Sequence, residues 1–242
     1  MSKYLIAIAT YNERESLPGL VEALLQETDQ IAEAIGATFD FLIVDDDSPD
    51  GTGQWCDEFA TKEPRLKCLH RIGEKGLGSA VMAAMRYAIE HGYDRMINMD
   101  ADVSHHPRHL PALCGVGDMA PLADVVIGSR YVKGGGTVGW SLIRKAMSRC
   151  INAFARWRLW LPVHDTSGSF RNYSVEKLRQ IDFSRVQANG YAFFEEILWR
   201  LRLVDSTMSE VPILFEDRQL GKSKMNLKES LRAVFTLLGL RR

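Results

Sequence analysis

Two aspartates one residue apart, Asp100 and Asp102, follow directly on the apolar run RMINM (95–99). Paired carboxylates at the end of a buried strand suit one hard divalent cation, Mg²⁺ or Mn²⁺, and leave coordination positions for phosphate oxygens. A second acidic strand end, Asp45-Asp46-Asp47, opens the stretch VDDDSPDGT (44–52). Two uses fit that stretch. Ser48 and Asp50 suit the caps of a following helix, while Val44 to Asp46 suit a crevice where a carboxylate accepts hydrogen bonds from a base or ribose. Neither a GxGxxG nor a Walker A spacing occurs, which disfavours a dinucleotide site or a P-loop ATPase. The glycine-rich GEKGLGSA (73–80) has neither spacing, although Lys75 and the helix start after it are placed to touch a phosphate.

These groups need elements to hold them. YLIAIAT (4–10), FLIVD (41–45), RLKCLH (65–70), RMINMD (95–100) and ADVVIGS (123–129) read as buried strands. Between them run helical periodicities, one with Leu17, Leu20, Val21, Leu24, Leu25, Ile31 and Ile35 on one face, another from about Gly76 to Ile89. This alternation predicts an α/β chain with a mostly parallel sheet covered by helices on both faces, whose ligands bind beyond the carboxyl ends of the strands. Those ends carry Tyr11-Asn12-Glu13, the 45–47 aspartates and Asp100-Ala101-Asp102. After Ser129 the pattern changes to a glycine loop (134–136), a helix over about 142–161, a short strand near 169–173, a helix over 193–203, a strand over 208–215 and a terminal helix over about 226–240. One domain over 1–242 is expected, with an elaboration beyond about residue 129.

Composition excludes the extremes. The chain has 242 residues, 46% hydrophobic and 25% charged, with a net charge of −1, which rules out disorder, collagen and coiled coil and gives no reason to expect a nucleic-acid partner. No apolar run reaches the roughly 18 residues a spanning helix needs. The cysteines (56, 68, 114 and 150) show no CxxC spacing and point to a reducing cytoplasm rather than a disulfide framework. Charge is uneven locally. Residues 141–162 hold five basic side chains and no acid, and residues 217–242 hold seven basic against two acidic. An acidic centre beside basic, apolar segments fits a metal site facing an anionic or membrane-surface partner.

Eight segments in order, ATYNERESL (9–17), VDDDSPDGT, KGLGSA (75–80), DADVSHHP (100–107), GSRYVKGGG (128–136), GWSLIRKAMSR (139–149), DTSGSFR (165–171) and EVPILFEDRQLGKSK (210–224), resemble glycosyltransferase family 2, and within it the dolichyl- or polyprenyl-phosphate mannose synthases. The resemblance spans nearly the whole chain. It implies a GT-A fold, a sugar-nucleotide donor, a lipid-phosphate acceptor and Mg²⁺ or Mn²⁺ as cofactor. Tyr11 and Glu13 match positions that hold base and ribose, with Ala9 replacing a usual proline. Val44 and Asp46 match further nucleotide contacts. Asp100 and Asp102 match the metal and diphosphate ligands, Ala101 the backbone contact between them, and Ser104 a position where related chains often carry a glutamine completing the metal shell. Arg130 and Arg144 match cations at the acceptor phosphate, and Arg218 and Lys224 cations at the diphosphate. Asp165, Ser167 and Arg171 are expected to build loop architecture, and Glu195 or Glu196 to support the metal site from behind.

The implied reaction is a direct, inverting displacement of mannose from GDP-mannose onto a dolichyl or polyprenyl phosphate. An ionised phosphate oxygen attacks without proton removal, so positioning and charge stabilisation by Asp102, Arg130, Arg144 and Arg218 carry the catalysis. UDP-glucose or another sugar nucleotide, a soluble acceptor, or a catalytically inactive binding protein are the competing readings; the absence of a QxxRW motif disfavours processive synthases. The chain is expected to lack a transmembrane domain and to sit peripherally on the cytoplasmic membrane face, with a membrane subunit as a possible partner. For that surface, Ile143, Ala146, Met147, Cys150, Ile151, Phe154, Trp157 and Leu161 make an apolar stripe with Arg149 and Arg156 on another face, open to two fates: a membrane interface or packing on the sheet.

Overall fold

A computed structural model describes residues 1–117, 122–188, 190, 192–217 and 238–239. Its strands and helices in chain order are β1 (Ser2–Thr10), α1 (Leu17–Ile35), β2 (Ala37–Asp45), α2 (Thr52–Ala60), β3 (Leu66–His70), α3 (Leu77–Glu90), β4 (Arg95–Asp100), α4 (Leu110–Leu113), β5 (Val125–Ser129), β6 (Gly136–Val138), α5 (Leu142–Leu159), β7 (Arg171–Ser174), α6 (Val175–Leu178), α7 (Ala192–Leu203), β8 (Met208–Pro212) and β9 (Leu214–Glu216).

Seven strands form one sheet in the order β3-β2-β1-β4-β7-β5-β8, and β6 pairs with β9 apart from it. Neighbours are parallel except at β7, which runs antiparallel to both β4 and β5. Side-chain alternation explains the two-sided cover. Leu5, Ala7, Leu42 and Val44 face a core with α3 and α7, whereas Tyr4, Ile6, Ile8, Phe41 and Ile43 face one with α1, α2 and α4. The five early strands and the two helices read from periodicity, α1 and α3, are present, with β2 starting earlier than expected, at Ala37, and α4 unforeseen. α1 stops because Gly36 turns left-handed at φ 64°.

Two expectations need correction. Residues 208–215 are not one strand: β8 ends at Pro212, and at buried Ile213, whose N–H donates to the Ser129 carbonyl and whose carbonyl accepts the Gly136 N–H, the chain shifts to pair β9 with β6. Ser48 does not cap α2 and bonds Asp45 instead, whereas Asp50, one residue before the N-cap Gly51, accepts the Thr52 N–H (3.0 Å) through Oδ1 at the start of that helix. Their side chains reach across to the loop after β1: Asn12 N–H donates to Ser48 Oγ (3.0 Å) and Arg14 N–H to Asp50 Oδ2 (3.0 Å). The expected terminal helix, apart from helical Leu238 and Gly239, lies outside the described residues.

Candidate active site

Parallel register brings the acidic strand ends together. Ala9 of β1 stands between Val44 of β2 and Asp100 of β4. The three loops leaving this edge each contain a non-glycine residue at positive φ: Asn12 (61°), Asp47 (57°) and Val103 (62°). For Val103 that conformation is a steric outlier, because a β-branched side chain crowds the backbone there. Strain repeated at three adjacent strand ends marks loops shaped for a ligand rather than for local stability.

The DxD loop is pinned from several sides. Ser169 Oγ donates to Asp100 Oδ1 (2.8 Å), while Asn98 Nδ2 holds the Ser169 carbonyl (2.8 Å). Ser104 donates to Asp102 Oδ1 through its backbone N–H (3.1 Å) and its hydroxyl (2.5 Å). Buried His105 accepts from the Asp100 N–H through Nδ1 (3.2 Å) and stacks on Phe170. Burial lowers the His105 pKa, against the raising effect of Asp100 and Asp102, so the ring is held as a neutral acceptor. Ala101 is buried between the two aspartates, both of which are partly accessible. The donors gathered here are carboxylate oxygens with serine hydroxyls behind them, a hard set that fits Mg²⁺ or Mn²⁺. In this geometry Ser104 serves first as a hydrogen-bond donor to Asp102.

Asp46 and Asp45 divide the second acidic cluster. Asp45 accepts from Thr10 Oγ1 and Ser48, tying β1 to β2. Asp46 accepts from Arg71 Nη1 (2.8 Å) and the Gly76 N–H (2.8 Å), and burial raises its pKa beyond what those two partners offset. Arg71, buried and reaching also to Glu74 and Ser79, joins the site unannounced: nothing in RLKCLHR distinguished it from a surface arginine. Lys75 Nζ donates to the Tyr11 hydroxyl (3.0 Å) and lies 4.5 Å from its ring. Ser16 Oγ donates to the Glu13 carboxylate (2.9 Å), and the Glu13 N–H donates to Thr52 Oγ1 (3.1 Å).

After β5, Arg130 grips Asp165 with its backbone N–H (2.9 Å), Nε (2.8 Å) and Nη2 (2.7 Å), and Nη2 also reaches Ser167. Asp165 is wholly buried and the Arg130 side chain 7% exposed. Burial alone would raise the Asp165 pKa; the Arg130 charge and hydrogen bonds outweigh it and hold the carboxyl below its usual value. Arg144 pairs with Asp217 (2.8 Å) and lies over the Trp140 ring at 4.1 Å. Arg218 and Lys224 lie outside the described residues.

Arg171 is fully buried, donating to the Phe194 and Thr166 carbonyls, as loop architecture requires. Glu196 does not turn toward the DxD loop. It binds the Gln187 and Ala188 N–H groups and Arg200.

A cleft of about 470 Å³ opens beside Arg130, lined also by Lys133, Arg149, Arg156 and His164. It shares Ala153 and Arg156 with a second hollow of about 390 Å³ lined by Trp157, Trp160 and Leu161. Along α5 the buried side chains are Ser148, Asn152, Ala155 and Leu159. Much of the apolar stripe therefore faces out: Ile143 and Trp157 are exposed, together with Leu142 and Trp160, while Met147, Ile151 and Phe154 are half-buried. Among the described residues no helix is long and apolar enough to cross a membrane.

Residues 5–182 match the sequence profile of Glycosyl transferase family 2. Over 224 residues the chain is 41% identical to the undecaprenyl-phosphate mannosyltransferase of Micrococcus luteus, covering 93% of this chain and 88% of that one. It is 39% identical over 231 residues to the polyprenol monophosphomannose synthase of Mycolicibacterium smegmatis, covering 94% and 83%. Among solved structures, mannosyl-3-phosphoglycerate synthase from Rubrobacter xylanophilus superposes with a TM-score of 0.65 at 17% identity, over 98% of this chain and 73% of the other. Glucosyl-3-phosphoglycerate synthase from Mycobacterium tuberculosis, solved with Mn²⁺, UDP and glucosyl-3-phosphoglycerate, superposes with a TM-score of 0.63 at 16% identity, over 100% and 81%. Likeness at that identity is one of fold, and the fold is GT-A.

Proposed function

The chain belongs to glycosyltransferase family 2, and from that premise we propose that it transfers mannose from GDP-mannose to a polyprenyl or dolichyl phosphate with inversion at the anomeric carbon. The observation that carries this reading is the pairing of two unlike surfaces. A hard carboxylate pair stands at the strand ends, and beyond Arg130 a cationic cleft runs on into an aromatic hollow. The sequence matches to an undecaprenyl-phosphate mannosyltransferase and a polyprenol monophosphomannose synthase favour mannose and a prenyl phosphate over other pairs. A phosphate headgroup suits the cleft, and its prenyl chain suits Trp157 and Trp160.

In this mechanism Ala9, Tyr11, Glu13, Val44 and Asp46 receive the nucleoside. Asp46, fixed by Arg71 and Gly76, keeps lone pairs for a base or ribose donor. Asp100 and Asp102 would hold a Mg²⁺ or Mn²⁺ ion and, with the Ala101 backbone, the diphosphate end, while Ser104 fixes the Asp102 carboxylate. A divalent cation bound there would neutralise charge on the departing diphosphate. Arg218 and Lys224 assist the same charge, and Arg130 and Arg144 steady the acceptor. The phosphate oxygen forms its bond to the anomeric carbon as the bond to the diphosphate breaks, on the opposite face. Position and charge do the work, and no side chain need take a proton. The exposed face of α5 settles the protein on the cytoplasmic surface of the membrane where the acceptor resides.

The test is transfer of labelled mannose from GDP-mannose into organic-extractable lipid by purified protein with polyprenyl phosphate and Mg²⁺ or Mn²⁺. Labelled lipid of β configuration, abolished by EDTA and reduced at least ~100-fold in Asp102→Ala, is the expected result. An α-linked product removes the single displacement, and turnover of UDP-glucose alone removes the donor.

A further inference from the structure

At the far edge of the sheet, three side chains of different chemistry converge where no step of the proposed reaction needs them. β3 is the edge strand, and α2 packs on it. Cys68 and His70, two residues apart on β3, present their side chains to one face, and Asp57 reaches them from α2. One ligating atom from each of the three lies within 4.8 Å of the others. His70 bridges the group, with Nε2 2.9 Å from Asp57 Oδ1 and Nδ1 3.9 Å from Cys68 Sγ. The approach of α2 depends on Gly53, where a methyl group would sit 3.1 Å from His70 Nδ1 and 2.9 Å from Asp45 Oδ2. The cluster is accessible, His70 being 39% and Asp57 61% exposed.

We propose that Cys68 and His70 bind a divalent cation of the zinc class, through Sγ and Nδ1, with Asp57 fixing the ring through its Nε2–H and solvent completing the tetrahedron. Zinc bonds of about 2.3 Å to sulfur and about 2.0–2.1 Å to nitrogen, at a tetrahedral angle, set those two atoms about 3.6 Å apart. The observed 3.9 Å is a few tenths of an ångström from that. A carboxylate on the second ring nitrogen is the usual support of a metal-bound imidazole, and here it also supplies negative charge. Sulfur and nitrogen donors separate this site by type from the all-oxygen Asp100/Asp102 pair, which favours harder ions. Position separates them as well: β3 and β4 are three strand spacings apart, about 14 Å. His70 pairs with Asp45 across β2–β3 and precedes Arg71, so a cation here would clamp the strand end that feeds the wall of the nucleotide pocket.

Cobalt reports the site without any reference to turnover. Full-length protein carrying Cys150→Ser, to remove the exposed thiol, is titrated with Co²⁺ in excess Mg²⁺ and followed by absorption. The proposal requires a thiolate-to-cobalt charge-transfer band that saturates at one equivalent and is displaced by Zn²⁺. Cys68→Ser should abolish the band, and His70→Ala should weaken binding at least ~10-fold. Absence of the band, or its survival in Cys68→Ser, overturns the site. In the wild-type chain, which avoids any folding defect of a variant, Zn²⁺ should slow iodoacetamide alkylation of Cys68 at least ~10-fold by peptide mass spectrometry. An unchanged rate is equally fatal.

Discussion

Replacing Asp165 by asparagine is the sharpest test of how Arg130 is held. Its two oxygens receive four donors: Oδ1 takes Arg130 Nη2 and the Gly168 N–H, and Oδ2 takes Arg130 Nε and the Arg130 N–H. Asparagine keeps the shape but only one acceptor oxygen, so two donors face an NH₂ group. It also leaves the Arg130 charge without a counter-ion in a site where that side chain is 7% exposed. Breaking a buried pair by neutralising one member costs about 3–5 kcal/mol. At about 2–4 °C per kcal/mol for a chain of this length, the melting temperature should fall by about 6–20 °C. Asp217→Asn is the matched control: its pair with Arg144 is 27% and 32% exposed, so its cost should stay below about 1 kcal/mol. Calorimetry and urea unfolding at neutral pH measure both. The sign with pH follows from the depressed Asp165 pKa. Its stabilisation is complete above the ordinary carboxyl value near 3.8 and is lost as pH falls through the lower folded value. Equal small losses for Asp165→Asn and Asp217→Asn would refute the view that Asp165 anchors Arg130.

Other outcomes follow from the same geometry. Trp157→Ser with Trp160→Ser removes side chains that are 72% and 73% exposed; vesicle sedimentation with anionic lipid should show at least ~10-fold weaker binding with the melting temperature nearly unchanged. Glu195 is buried with one oxygen lacking a partner, and burial pushes its pKa up to about 8. The folded state then keeps a proton that the unfolded chain releases, so this group makes stability decline as pH rises from about 4.5 to about 8. Unfolding of Glu195→Gln across that range should lack the decline, and parallel curves for the two proteins would count against it. Val103→Gly relieves a β-branched residue at φ 62°; folding should be unchanged or up to about 1 kcal/mol more stable, while turnover falls because the loop loses its preset shape.

Sequence periodicity is strong evidence wherever one physical constraint acts alone. Buried parallel strands are continuous apolar runs, so β1, β2, β4 and β5 were readable, and with them the edge where Asp100 and Asp46 stand. The run over 208–215 was visible in the sequence, but its change of sheets at Ile213 depends on Ser129 and Gly136 more than 70 residues away. Ser48 has the composition of a cap and is used to stitch two loops, and Asp50 does both, because a short polar side chain satisfies whichever backbone N–H tertiary packing brings nearest. Arg71 and Glu196 defeat sequence reading for a related reason. A charged side chain declares its role only through its partners, and the deciding ones, Asp46 for Arg71 and the Gln187 and Ala188 N–H groups for Glu196, come from another strand end or an irregular segment.

The two sides of the site are built on different principles, and that difference bears on how catalysis is divided. The donor side is shaped by backbone: three adjacent strand ends, three positive-φ residues, and carboxylates held by serines and N–H groups. Its geometry is set before any ligand arrives, as charge stabilisation of a leaving group demands. The acceptor side instead relies on long cations. Arg130 is locked by Asp165, whereas Arg149 and Arg156 stand exposed along α5. On the proposed function, the exposed arginines are expected to adjust to a headgroup whose depth in a membrane varies, and the locked one to fix where that headgroup stops. Asp165 and Asp102 are therefore expected to fail differently: loss of Asp102 removes turnover from a stable fold, and loss of Asp165 weakens the fold and the acceptor site together.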